Sequence, residues 1–304
     1  MTALGMSQQG APSAVPLPEP DGRRRRRRRG GVGLYKRPGF LVYLLLGISV
    51  AIFAYPLWWS FVVASGTNAT RGQTLPLVPG PNFMSNVNQV LEAIPFWKAL
   101  GNSLVISSVV TLSVVTFSTL AGYAFAKLKF KGRDGLMIFV IATMAIPTQL
   151  GIIPLFMVMR QLGWVGDIKA VIVPLLVTAF GVFLMRQYLA GVIPDELIEA
   201  ARVDGCNQIR TFWNVAVPAA RPAMAILALF TFMLAWTDFL WPMVVLNAQN
   251  PTLQTALANL QSGYYIDYSI VLAGAVMATI PVLFLYLAAG KQLISGIMAG
   301  AVKG

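Results

Sequence analysis

Histidine is absent from the 304 residues, and cysteine occurs once, at Cys206. Without histidine no imidazole is available as a general base for a serine or cysteine nucleophile. A Cys/His metal cluster is excluded, and so is an intrachain disulfide. Charge is scarce as well: Asp, Glu, Lys and Arg make up 11% of the chain, against about a quarter of an ordinary soluble domain. The acids are the rarer sign, 11 against 23 basic residues, and they fall in loops or alone inside apolar stretches, a poor start for acid–base chemistry. The phosphate-cradling pattern G-x-x-x-x-G-K-[ST] is missing too. "AGKQ" at 289–292 lacks both the upstream glycine and the hydroxyl, so the chain is not expected to hydrolyse ATP, to be an enzyme, or to need a cofactor or metal.

What is abundant is oil: 57% of the residues are hydrophobic and the mean hydropathy is +0.69. Six apolar runs reach the ~20 residues needed to cross a bilayer, at 39–63, 99–126, 135–159, 169–189, 222–246 and 269–290. The sequence therefore predicts an all-α, polytopic membrane protein with six transmembrane helices. Lys and Arg are retained on the cytoplasmic side of short loops. With the N-terminus inside, all basic residues except Arg71, Lys98, Arg160 and Lys169 lie inside, and an even number of spans puts both termini in the cytoplasm. Residues 1–38, rich in Pro, Gly, Ser and Arg, read as a disordered basic tail. No apolar core in the first 30 residues suggests a signal peptide, so span one is expected to stay as an anchor. Beside that span the Arg23–Arg29 run reads as a stop against translocation in contact with anionic membrane lipid, and no nucleic-acid partner is expected. The expected organisation is the tail at 1–38, span one with an extracytoplasmic loop at 39–98, a five-span core at 99–290, and a cytoplasmic tail at 291–304.

Pro147, Pro154, Pro174, Pro242 and Pro281 interrupt the spans, each removing a backbone donor. Such breaks are tolerated where neighbours or a water-filled cavity satisfy the freed carbonyls. Asn102, Thr148, Gln149 and Asp238 lie near these breaks and are candidate pathway residues; the other reading is that membrane helices simply carry more proline than soluble ones. Asp238, in "LAWTDFLWPMV", is the only acid well inside a predicted span. It is either a polar pathway residue, costly at membrane depth, or a group near the outer end of its span that reaches water.

The most charged stretch of the core is residues 190–222, between spans four and five. Pro194 suits a first helical turn, and Asp195 and Glu196 follow where the helix dipole favours acids. Gly205 suits the left-handed conformation that stops a helix, which predicts a helix over about 194–204. A second helix from about 207 would carry Ile209, Phe212, Trp213 and Ala216 as one apolar stripe, with Pro218 and Pro222 ending it before span five. Two short helices joined at a glycine, held at the cytoplasmic surface by a span on each side, suit docking to a partner. A hairpin lying in the headgroups is the alternative, and the acidity of the first helix weighs against it.

The segment "EAARVDGCNQIRTFWNVAVPAARP" resembles the EAA signature of bacterial ABC-importer permeases. It matches at Glu199, Ala200, Ala201, Asp204, Gly205, Phe212, Pro218 and Pro222, and departs at Cys206, Val215 and Val217 by small or apolar exchanges. The tail "YLAAGKQLISGIMAGAVKG" and the stretches "AWTDFLWPMVVL" and "TQLGIIPLF" resemble the smaller permease subunit of carbohydrate importers related to the maltose transporter. That resemblance, over roughly residues 40–304, implies the type I ABC-importer permease fold and uptake of a di- or oligosaccharide. It also implies the partners: a second permease, a dimer of ATP-binding subunits, and an extracytoplasmic sugar-binding lipoprotein or periplasmic protein. Glu199, Ala200, Ala201, Asp204 and Gly205 would couple to the ATPase, with Gly296 to Gly304 a second contact. Rival readings are an ABC permease for amino acids or peptides, which shares the EAA stretch, and an ion-coupled secondary transporter. The latter would want paired ionisable groups and repeats that the sequence does not display.

Overall fold

The computed structural model describes residues 39–67, 77–262 and 266–301, with side chains as far as residue 287. The Arg23–Arg29 run, the rest of residues 1–38, and the side chains of Gly296 to Gly304 lie outside the described residues. The chain divides into two compact units, Met1–Ala51 and Ile52–Gly304. In the first, the described part is the start of α1 (Phe40–Ala64), exposed throughout. The helix is apolar on every side, as expected of a lipid-facing span.

In the second unit, α2 (Phe83–Ala93) precedes the long α3 (Phe96–Lys127). Next come α4 (Arg133–Met144), α5 (Ile152–Gln161), the short α6 (Lys169–Ile172) and α7 (Ala179–Val192). α8 (Asp195–Val203) and α9 (Gln208–Thr211) form the hairpin, followed by α10 (Val217–Thr237), α11 (Leu240–Val245), α12 (Leu253–Asn259) and α13 (Tyr268–Ala301). All described elements are helical. Five of them, or adjoining groups of them, are long and apolar enough to span a bilayer, and α4 with the 148–161 segment makes a sixth span if the bent pair is counted as one.

α3 is the central post, packed against α7 and α10. Their shared core holds Ile106, Val110 and Val114 of α3, Met185 and Leu189 of α7, and Leu227 of α10. A second cluster joins α2, α10, α12 and α13 through Val90, Trp236, Leu253 and Ala273. In a bilayer the approach of helices rests on small residues rather than on expulsion of water. Here Gly122 of α3 lies directly on the backbone of Met185 and Arg186, and Gly181 of α7 lies on the Ser118 hydroxyl.

The prolines do not act alike. At Pro147 the apolar run expected at 135–159 breaks, and the two halves meet at 89°. The residue before a proline is pushed out of the helical region, and the backbone around Pro147 turns extended before a short 3₁₀ turn over Thr148–Gly151. Pro154 and Pro242 each occupy the third residue of their helices, α5 and α11, where a missing N–H costs nothing. Pro281 lies inside an unbroken α13, whose backbone stays helical to Ala301. Pro218 and Pro222 do not end the second hairpin helix, contrary to expectation. α9 continues through a π-helical turn at Phe212–Ala216 into α10, so the helix that carries span five runs from Gln208 to Thr237, and the run expected at 222–246 is broken after Thr237. The π turn shifts the hydrogen-bonding frame just ahead of Pro218, which then falls in the first turn of α10 and needs no donor.

Candidate functional site

The hairpin between α7 and α10 is built from helix-end chemistry. Pro194 enters α8 with extended backbone, Asp195 and Glu196 occupy its first turn, and Arg202 its last. Gly205 stands at φ 77. Its amide donates to the Arg202 carbonyl at 3.0 Å, and that of Cys206 donates to Ala201 at 2.9 Å, closing the helix as a left-handed glycine permits. Asn207 then starts α9, its side-chain oxygen accepting the Arg210 amide at 2.9 Å. Asparagine immediately before the first helical residue is a usual cap signal, legible at Asn207 in the sequence.

Two small apolar anchors, Ile198 and Ala201, turn inward from α8. Glu199, Ala200, Asp204 and Gly205 are exposed, so four of the five expected coupling residues share the outer side and Ala201 does not. The expected apolar stripe of the second helix divides. Phe212 and Ala216 are buried, Phe212 against the ring of Tyr123 at 5.6 Å, whereas Ile209 and Trp213 are 70% and 58% exposed. A stripe drawn at 3.6 residues per turn is carried out of register by the π turn.

α8 is pinned to the end of α3 by an ion pair 68 residues apart in sequence, Lys127 Nζ to Asp195 Oδ1 at 2.6 Å. The Lys127 side chain is 6% exposed and that of Asp195 80%. The hydrogen bond from Lys127, and then its charge, hold the Asp195 carboxyl below the usual range. Between this pair and the α3–α4 turn lies a groove of 530 Å³ lined by Lys127, Lys129, Phe130, Arg133, Glu199 and Arg202, among others.

The pathway candidates separate. Asp238 sits at the break between α10 and α11, its backbone extended and its side chain half-buried. It faces a cavity of 610 Å³ whose polar wall is Thr148, Thr178, Thr231 and Thr237, and an adjoining one of 190 Å³ that it shares with Gln149. The break at Pro147 brings Thr148 and Gln149 to Asp238 from almost a hundred residues away. Asn102 lies elsewhere: it donates to the Pro251 carbonyl at 2.9 Å while its neighbour Ser103 accepts the Leu253 amide at 2.8 Å, fastening α12 to α3. Among the described residues no group of three or more His, Cys, Asp or Glu could hold a metal ion.

Residues 115–292, from the middle of α3 into α13, match the family described as binding-protein-dependent transport system inner membrane component. The chain belongs to that family, the ABC-importer permeases. The permease is 37% identical over 270 residues to the arabinooligosaccharides transport system permease protein AraQ of Halalkalibacterium halodurans, covering 86% of this chain and 96% of that protein. It is 32% identical over 270 residues to the lactose transport system permease protein LacG of Rhizobium radiobacter, covering 88% and 97%. Among solved structures it resembles a chain of a bacterial ABC transporter involved in the import of the acidic polysaccharide alginate, at TM-score 0.70 and 27% identity, over 85% of this chain and 99% of that one. The matched family region contains the hairpin, the Pro147 break and Asp238. As a transmembrane component, the permease is the transport subunit and not the ATPase.

Proposed function

We propose that the permease is the smaller of two membrane subunits in a type I ABC importer that takes up a di- or oligosaccharide. An extracytoplasmic binding protein delivers the sugar, and a dimer of ATP-binding subunits drives transport from the cytoplasm. The observation that carries this reading is α8: a short rigid helix, stopped by Gly205, with Glu199, Ala200 and Asp204 exposed and Ile198 and Ala201 anchored inward. Closure of the ATP-binding subunits on ATP pushes this helix, and because α8 is tied to α3 by the Lys127–Asp195 pair and α9, beyond the turn at Gly205, runs on into α10, the push reaches the core as a rigid movement. The names of the relatives, which transport arabinooligosaccharides and lactose, support a sugar. The distribution of Lys and Arg supports placing both termini in the cytoplasm. Asp238 and Gln149, with their threonines, are the proposed lining of the path; Asn102 braces its outer end.

Uptake is the test. Cells with the permease gene deleted are expected to lose accumulation of at least one member of a panel of radiolabelled neutral di- and oligosaccharides, including lactose and arabinotriose, and to keep that of methionine. Loss of methionine uptake with every sugar unaffected would overturn the assignment to sugars.

A further inference from the structure

The groove between the α3–α4 turn and α8 carries charge that the hairpin does not need for its own fold. Its lining includes four cations, Lys127, Lys129, Arg133 and Arg202, and two acids, Asp195 and Glu199. Lys127 is satisfied by Asp195, and Arg133 pairs with its neighbour Asp134 at 3.1 Å. Lys129 and Arg202 are exposed and have no acidic partner within 4 Å among the described residues. Phe130, 42% exposed, and the buried Ile198 add an apolar wall. The opening thus combines free positive charge with apolar surface, and one of its walls is the same α8 that exposes Glu199.

We propose that this groove receives an acidic, partly apolar segment of the ATP-hydrolysing partner, with Lys129 and Arg202 as the cations that hold it. The inference rests on the coupling role proposed for α8 and adds a second contact to it. A subunit that grips Glu199, itself part of the lining, is already at the groove, and acidic side chains reaching in meet the unpaired Lys129 and Arg202. Cations at the edge of such an interface set partner choice and salt dependence. The Lys127–Asp195 pair holds the two walls together, so the groove and α8 move as one body.

The test uses the whole transporter, purified through a tag on the permease into nanodiscs of phosphatidylcholine and washed in steps of rising KCl. The bound ATP-binding subunit is quantified from its own peptides and from ATP hydrolysis. Lys129→Glu with Arg202→Glu is expected to release the subunit at lower salt than the parent, a loss of about tenfold or more in affinity. Lys129→Gln with Arg202→Gln, which keeps side-chain bulk and adds no repulsion, should fall between and serves if the reversal fails to insert. Retention equal to the parent at every salt step overturns the proposal. If that result comes with a lost preference for phosphatidylglycerol over phosphatidylcholine, read from the lipid co-purified out of mixed vesicles of the two, the cations belong to the lipid surface. Glu199→Lys is run in parallel. If it releases the subunit and the groove variants do not, the groove proposal fails and the coupling helix stands; if none of them does, both fail.

Discussion

Gly122→Ala measures how closely the central helices are packed. A Cβ at residue 122 would stand 2.7 Å from the Cβ of Met185 and 2.8 Å from the Arg186 amide nitrogen and the Met185 carbonyl carbon. Carbon atoms attract at about 3.5–4.0 Å, so α3 and α7 would have to part by about 1 Å. Two of the three obstacles are backbone, so no side-chain rotation relieves them. Overpacking of this kind costs about 1–3 kcal/mol, and the added gap forfeits dispersion along the rest of the helix pair. Alanine also favours a helix over glycine by about 1 kcal/mol, which masks part of the loss. Gly101→Ala in the same helix removes that ambiguity, because nothing lies within 4 Å of a Cβ there. The difference between the two variants isolates the packing cost, about 1–3 kcal/mol. Thermal melting of the detergent-purified transporter, followed by the monodisperse fraction in size exclusion, should place Gly122→Ala several degrees below the parent and Gly101→Ala at or above it. Equal midpoints would refute the close packing of α3 on α7.

Gly205→Val forces a β-branched residue to φ 77, a strain of about 1–3 kcal/mol. It should open the hairpin, seen as faster proteolysis within residues 190–222, whereas Gly205→Asn should be tolerated. Asn207→Ala removes the cap of α9 and should weaken the same region by about 1 kcal/mol, again read by proteolysis. The Asp195 carboxyl is held below its ordinary value by Lys127, so its pairing stabilises the hairpin fully above the unfolded pKa of about 3.9 and is lost as pH falls through the lower folded value. Protease resistance of the hairpin should therefore be flat from pH 7 to pH 5 and fall only in stronger acid, and Lys127→Gln should abolish that acid step.

The all-helical, multi-spanning architecture and the hairpin's first helix were legible because each depends on neighbours along the chain. About twenty apolar residues in a helix match the ~30 Å hydrocarbon thickness of a bilayer whatever surrounds them, and Pro194, Asp195, Glu196 and Gly205 announce where α8 starts and stops through their own backbone preferences and charges. The fate of each proline was not legible. Pro147 breaks its span and Pro281 does not, because the outcome depends on what packs against the freed carbonyl. The π turn at Phe212–Ala216, which carries α9 into α10 and turns Ile209 and Trp213 outward, likewise left no mark in a pattern read at 3.6 residues per turn. Nor did the sequence pair Lys127 with Asp195, Asn102 with Pro251, or Thr148 with Asp238. Hydropathy and helix-end signals are properties of a few consecutive residues, while these meetings join groups 68, 149 and 90 residues apart. The close approach of α3 and α7 at Gly122 and Gly181 is of the same kind, decided by what lies across the contact and not by neighbours along the chain.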